Sequence, residues 1–124
     1  MTKKMPVKGR DSSRQLEQTI VLDENEYNAL MKLKGKRLHK TRYFYRYNRK
    51  TAEFGIFKER LEGLIIVDFE FKSLEKKDSF KIPDFCLADV TQEKFAAGGI
   101  LCGKSYGQIK KNLKRYKYKK LFLG

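Results

Sequence analysis

The sequence has no tryptophan, one histidine, two prolines and two cysteines among its 124 residues. One cysteine pair, Cys86 and Cys102, is too few for a disulfide scaffold and lacks the spacing of a zinc site, so we expect reduced thiols in the core. The longest apolar run, residues 64–67, is too short to cross a bilayer. The basic start of the chain is followed by no apolar segment, which predicts no signal peptide and a cytoplasmic protein.

Familiar catalytic arrangements are also missing. The sequence contains no P-loop, no glycine fingerprint for a dinucleotide and no Ser-His-Asp or Cys-His combination. A histidine that stands alone, as His39 does, is more often structural than catalytic. The residues alone therefore indicate no familiar active site.

Positive charge is what the chain has in excess. Lysine and arginine number 29 against 15 acidic residues, which gives a formal net charge of +14. Such a surplus favours anionic partners such as nucleic acid, nucleotides, polyphosphate or an acidic membrane. The surplus is uneven, because residues 104–124 contain eight lysines or arginines and no acid.

The length and the 40% of hydrophobic residues predict one domain with a real core. Alternating patterns predict strands at 15–22, 37–48, 52–60, 64–72 and 86–91. Capping residues predict three helices, which begin after Asp23, Ser73 and Ser105, the first of them running to Lys34. Antiparallel strands in hairpins with helices outside make an α+β fold.

Two pairs of like charges stand two positions apart in predicted strands. Lys40 and Arg42 would share one sheet face, where two long cationic side chains can hold phosphate oxygens. The alternative is a solvated strand face. Asp68 and Glu70 would likewise share a face, and two carboxylates suit magnesium or manganese. The alternative here is an exposed alternating strand.

The strand that carries Lys40 has aromatic residues on its other face. Tyr43, Tyr45 and Tyr47 alternate with basic residues, a pattern that could stack nucleic-acid bases. The alternative, which we favour, is a half-buried sheet face covered by a helix.

Several short motifs occur together in a known order. Residues 61–71, LEGLIIVDFEF, are similar to the stretch L-x-G-L-x-x-x-E-V-E-F of the CYTH domain, the triphosphate-tunnel fold. Residues 80–85 (FKIPDF) and 89–91 (DVT) are similar to the F-x-x-P-x-W and E/D-V-T that follow it. Upstream, residues 40–43 are similar to K-T-R-Y.

The resemblance extends over residues 7–113. Its upstream end is formed by VKG at residues 7–9 and SR at 13–14, which are similar to T-x-K-G and S-R. It identifies residues 1–124 as a single truncated CYTH-like domain, with 114–124 as a basic tail.

The resemblance implies an antiparallel sheet that forms an incomplete triphosphate tunnel with flanking helices. Known members of the family include inorganic triphosphatases, thiamine triphosphatases, class IV adenylate cyclases and RNA triphosphatases. By their positions in the motifs, the implied phosphate contacts are Lys8, Arg14, Lys40, Arg42 and Lys104. The implied ligands for Mg²⁺ or Mn²⁺ are Asp68, Glu70 and Asp89.

The departures from the family pattern concern mainly acids. The opening E-x-E-x-K and R-x-R strands are absent, Leu16 and Gln18 replace a later E-x-E, and Gly55 replaces the acid of I-D-V-F. Cationic positions persist, so anion binding is kept while metal catalysis is weakened.

We therefore expect the chain to bind a triphosphate or polyphosphate-type anion. Metal-dependent hydrolysis would require completion of the barrel by another chain, either a second copy or a partner. The alternatives are a metal-dependent triphosphatase or adenylate-cyclase-like enzyme, and an RNA-binding or structural basic subunit. Whether the isolated chain is an enzyme is left open by its residues.

Overall fold

The computed structural model describes residues 1–7 and 15–122. The strands in these ranges are β1 (Thr2–Pro6), β2 (Gln15–Thr19), β3 (Lys40–Tyr47), β4 (Lys50–Phe57) and β5 (Ile65–Phe69). The helices there are α1 (Glu24–Met31), α2 (Leu74–Asp78), α3 (Gly98–Leu101) and α4 (Tyr106–Lys114), with 3-10 turns at Glu59–Leu61 and Lys94–Ala96. No helix in the described part of the chain is long and apolar enough to cross a membrane.

The first part of the chain is an antiparallel hairpin of β1 and β2, followed by α1. The predicted capping box at the start of α1 is confirmed: the Asp23 carboxylate accepts from the Glu26 amide at 2.8 Å, and the Glu26 carboxylate accepts from the Asp23 amide at 3.1 Å. The helix ends at Met31, before the predicted Lys34. At this end the Arg37 guanidinium donates to the Met31 carbonyl, which satisfies one of the last free acceptors of the helix.

The second sheet has three antiparallel strands in the order β3-β4-β5. A two-residue turn joins β3 to β4, and both of its residues have positive φ, 43° at Asn48 and 62° at Arg49. Positive φ at both positions is what a type I′ hairpin turn requires, because its twist matches that of the strands. The turn fixes the register, with Tyr47 opposite Lys50 and Lys40 opposite Phe57.

The hydrophobic core lies where one end of this sheet meets α3 and α4. Ile109 and Leu113, four residues apart on α4, are buried against the end of β4. The other buried members of the cluster are Phe57, Leu61, Leu64 and Leu101. Beyond α4, the Tyr118 hydroxyl donates to the Gly63 carbonyl at 2.7 Å and accepts from the Ile65 amide at 2.9 Å. These bonds hold the segment after α4 against the edge of β5.

The face of the three-stranded sheet that carries Tyr43, Tyr45 and Tyr47, on the other side from the buried Phe57 ring, is aromatic. Tyr45 and Tyr47 contact the ring of Phe85 edge to face, with ring centroids 6.3 and 5.3 Å apart. Phe80 packs on Phe69 at 4.8 Å. Tyr45 and Tyr47 thus pack against Phe85, while Tyr43 and Tyr45 remain 49% and 55% exposed. The segment that covers part of this face, residues 79–85, is irregular and is not the predicted covering helix, since α2 ends at Asp78, before Pro83.

The strand predicted at residues 86–91 is wrong. The Cys86 amide donates to the Pro83 carbonyl at 2.9 Å in a turn, and the Asp89 carboxylate accepts a hydrogen bond from the Thr91 amide at 2.9 Å. Such side-chain bonds compete with a strand ladder for the backbone. Both cysteines are free and half-buried.

The α+β class is confirmed. The described strands form two small antiparallel sheets, one of two strands and one of three, and not a closed barrel.

Candidate anion-binding site

The three-stranded sheet places charged side chains from all of its strands on one face. Residues directly opposite each other in antiparallel strands project to the same side. Arg42 lies opposite Gly55, and Glu53 of β4 lies opposite Asp68 of β5. By alternation along β3 and β4, Lys40, Arg42, Glu53 and Asp68 share a side of the sheet, which we call the basic face.

Gly55 gives the Lys40 side chain its path across the basic face. A Cβ at residue 55 would lie 3.4 Å from Lys40 Cδ and 3.8 Å from Lys40 Nζ. A glycine in mid-strand thus leaves room for a neighbouring side chain to lie against the backbone. The CYTH pattern has an acid at the position of Gly55. In this chain the Lys40 side chain lies over Gly55 instead.

The two cations of the basic face differ in their partners. Arg42 pairs with Glu53, Nε to Oε1, at 3.0 Å. Within the described residues Lys40 has no carboxylate at ion-pairing distance, and its Nζ lies 5.5 Å from the centre of the Phe57 ring. Glu53 therefore neutralises Arg42, whereas the ammonium of Lys40 has a cation–π contact with Phe57 and no ion pair among the described residues.

The surroundings of Lys40 lower its pKa. Burial is the main cause, because water that would solvate the ammonium is removed, and the positive charge of Arg42 adds to it. The negative charges of Asp68 and Glu53 oppose the shift, while Lys4 of the first hairpin reinforces it. Lys40 is thus a half-buried cation whose charge the protein compensates incompletely.

Of the other predicted phosphate contacts, the structure describes Lys104 alone. Lys104 lines a separate cavity beside Arg37 and Arg60. Lys8 and Arg14 lie outside the described residues. Of the five predicted phosphate contacts, the structure thus brings Lys40 and Arg42 together.

The predicted metal ligands Asp68, Glu70 and Asp89 do not form a group of three that could hold one ion. Asp68 lies on the basic face, and Glu70 is exposed just after the end of β5. The Asp89 carboxylate accepts from both the hydroxyl and the amide of Thr91, and these two bonds lower its pKa. In the part of the chain that the structure describes, no group of three or more histidine, cysteine or acidic side chains could hold a metal ion.

Glu53 is the functional candidate that the motifs missed. It neutralises Arg42 and faces Asp68 across the β4–β5 pair. Its place follows from the two-residue turn, because pairing Tyr47 with Lys50 puts Glu53 opposite Phe44 on the face of Arg42. Reading the turn length as well as the strand alternation would have found it.

No family model matches this chain, and neither a curated protein nor a solved structure is significantly similar to it.

Proposed function

We propose that the chain binds a triphosphate or polyphosphate-type anion on its basic face, as an incomplete triphosphate tunnel. The observation that carries the proposal is the state of Lys40. Its ammonium is half-buried, lies beside a second cation and has no ion-pair partner among the described residues. A bound phosphate oxygen would supply the missing negative charge, and low local solvation would strengthen the contact.

Arg42 supports the same ligand in a different way. Its guanidinium offers a planar fork of donors that suits two phosphate oxygens, whereas Lys40 acts as a point charge. Its side chain is 55% exposed, so its free donors reach solvent while Nε is held by Glu53. The CYTH resemblance supports adding Lys8 and Arg14 to the same anion.

Hydrolysis by the isolated chain is not part of the proposal. Asp68 is accompanied on the basic face by Glu53, which is already paired with Arg42. Mg²⁺ or Mn²⁺ chemistry would need further carboxylates from a second copy or a partner chain. The outer edge of β3 pairs with no other described strand, so it offers a backbone edge for such a partner. A mass of only 14.6 kDa by light scattering at micromolar concentration would count against this assembly.

The binding proposal is tested by calorimetry with tripolyphosphate at fixed ionic strength. The double variant Lys40→Ala/Arg42→Ala should bind about tenfold more weakly or worse, because two charge-assisted contacts are lost. The matched control is Lys111→Ala/Lys114→Ala, which removes the same charge from exposed positions of α4. Equal losses in the two variants would show that only general charge attracts the anion.

A second candidate is RNA binding by the surface of α4 and the segment after it. Between Lys104 and the end of the described chain the lysines and arginines of this surface are exposed and no acid is present. Many phosphates would contact such a surface together, which makes affinity strongly salt-dependent. With a single-stranded RNA probe the effects should reverse, so that Lys111→Ala/Lys114→Ala weakens binding more than the basic-face variant does. If both variants bind RNA like the unmodified chain, this candidate fails.

A further inference from the structure

A cavity of about 410 Å³ lies outside the basic face, between three segments distant in sequence. Its walls come from residues 35–39, 58–61 and 103–104. Backbone bonds hold the segments together: the Gly103 amide donates to the Arg37 carbonyl at 3.2 Å, and the Lys58 amide donates to the His39 carbonyl at 2.9 Å. The Arg60 guanidinium donates to the Gly103 carbonyl at 3.3 Å. The cavity is thus built by the fold and not by one loop.

The charge of this cavity is strongly positive. Among the described residues, five cationic side chains line it and Glu59 is its one acid. The Glu59 carboxylate is already engaged by His39 Nδ1 at 3.3 Å. The cationic side chains are Lys36, Arg37, Lys58, Arg60 and Lys104.

The lysines and the arginines have different situations there. The two guanidinium groups bond to backbone carbonyls, Arg37 to Met31 and Arg60 to Gly103. Within the described residues the ammonium groups of Lys36, Lys58 and Lys104 have no ion-pair or hydrogen-bond partner. Three cationic side chains that lack a partner in the described part of the chain line one cavity, so an anion there would meet uncompensated positive charge.

The size and lining of the cavity indicate the kind of anion. A volume of about 410 Å³ falls within the range of ordinary small-ligand pockets, roughly 300–1,000 Å³. Leu38 and Leu61 supply apolar wall, and the charge comes from the three ammonium groups, unpaired in the described chain, beside two guanidinium groups that already donate to backbone carbonyls. A compact phosphate group, free or at the end of a small organic molecule, meets both conditions.

We propose that this cavity is a second anion site, which takes inorganic phosphate or the phosphate group of a small monoester on Lys36, Lys58 and Lys104. The site is independent of the basic face, since the two share no residue. Lys104, which the motifs assigned to the triphosphate, serves this site instead.

Glycine amides allow the two sites to be followed separately by NMR. Gly35 and Gly103 line the cavity, whereas Gly55 lies on the basic face. The ¹⁵N-labelled chain is titrated with sodium phosphate and, at matched ionic strength, with sodium chloride. Phosphate should shift the Gly103 amide along a saturating curve, and chloride should not. A linear drift, or the same shift with chloride, would overturn the proposal.

Variants complete the test. Lys58→Ala/Lys104→Ala should weaken the phosphate response at Gly103 about tenfold, through the loss of two charge-assisted contacts. Lys104→Gln alone removes the charge, keeps most of the side chain and should give a smaller loss, so the test does not depend on the folding of the double variant. Lys40→Ala/Arg42→Ala and Lys111→Ala/Lys114→Ala should leave the Gly103 response unchanged. A Gly103 response that survives the cavity variants, or that disappears in the basic-face variant, would refute a separate site.

Glycerol 3-phosphate separates the two sources of the phosphate group. Tighter binding than inorganic phosphate, with shifts that extend to Leu38, would assign the site to a monoester. Equal or weaker binding would assign it to inorganic phosphate. If neither compound binds saturably at Gly103, the cavity proposal is overturned, even if tripolyphosphate binds at Gly55. If phosphate binds at Gly103 and tripolyphosphate does not bind at Gly55, the proposed function of the basic face is overturned and the cavity proposal stands.

Discussion

Lys40 lies across Gly55, with its Cδ 3.4 Å from the position that a Cβ of residue 55 would occupy. A small residue on β4 thereby lets the ammonium of a β3 lysine approach the sheet backbone beside Arg42. The same geometry decides what an acid at position 55 would do. It would stand between the two cations and take the place that we assign to the phosphate.

Gly55→Asp should therefore weaken tripolyphosphate binding. The new carboxylate would pair with Lys40 or Arg42 and would repel the ligand, so we expect a loss of about tenfold. Gly55→Asn is the control, because its side chain has the same size and no charge. The measurement is calorimetry at fixed salt. If Asp and Asn reduce the affinity equally, crowding at residue 55 is the cause and charge is not.

Lys40→Met should raise stability at neutral pH. The pKa of Lys40 in the folded protein lies below its ordinary value of 10.5, mainly because of burial. Below the folded-state pKa the ammonium is charged in both states, and its burial then disfavours folding. Methionine keeps the long apolar stem over Gly55 and removes the charge.

The advantage of Lys40→Met should shrink as the pH rises. Between the folded-state pKa and 10.5 the folded protein releases the Lys40 proton before the unfolded chain does, so the unmodified protein gains stability in this window. Urea unfolding of both proteins at pH 7 and at alkaline pH measures the difference. Lys111→Met, at an exposed position of α4, should show no such trend. An advantage that stays constant with pH would contradict the argument.

Tyr118→Phe should destabilise the fold by about 1–3 kcal/mol. The lost hydroxyl donates to the Gly63 carbonyl and accepts from the Ile65 amide, so both backbone groups lose a partner at the edge of β5. Tyr43→Phe is the control, since its ring is 49% exposed and its hydroxyl has no partner within the described residues. Denaturant unfolding of the two variants makes the comparison. Equal stabilities would mean that water replaces the Tyr118 hydroxyl at no cost.

Local patterns predicted the strands of the three-stranded sheet and the start of each long helix. The alternation of Lys40 and Arg42 with tyrosines, and the capping box at Asp23, are signals within a few residues, and the structure has both. Asp89 shows the limit of motif reading. Its side chain is occupied by Thr91 two residues later, a local bond that the D-x-T spacing could have suggested.

Contacts between distant segments were beyond the sequence patterns. The cavity that holds Lys104 joins residues 35–39 to residues 103–104, and no periodicity links them. Motif position placed Lys104 with the triphosphate ligands, whereas packing places it beside Arg60. Registers and long-range packing depend on turns and on side-chain volume throughout the core.

Asp68→Asn distinguishes an anion binder from a metal enzyme. In a binder, the Asp68 carboxylate repels the phosphate and counteracts the cations of the basic face, since it acts on Lys40 with the opposite sign to Arg42. The variant should then bind tripolyphosphate severalfold more tightly in the absence of metal, by roughly 0.5–1 kcal/mol, as expected for one partly exposed charge. Glu75→Gln on α2 is the control for the change in net charge, and it should have little effect.

The same variant is then assayed for phosphate release from tripolyphosphate with magnesium or manganese. The isolated chain should release phosphate no faster than a sample without protein, because its described acids form no metal-binding group. Asp68→Asn should not change this result. Rapid metal-dependent release by the unmodified chain that disappears in Asp68→Asn would refute the binder and assign Asp68 to a metal. Tighter binding by Asp68→Asn together with no release would instead place Asp68 among the groups that limit the affinity of the basic face.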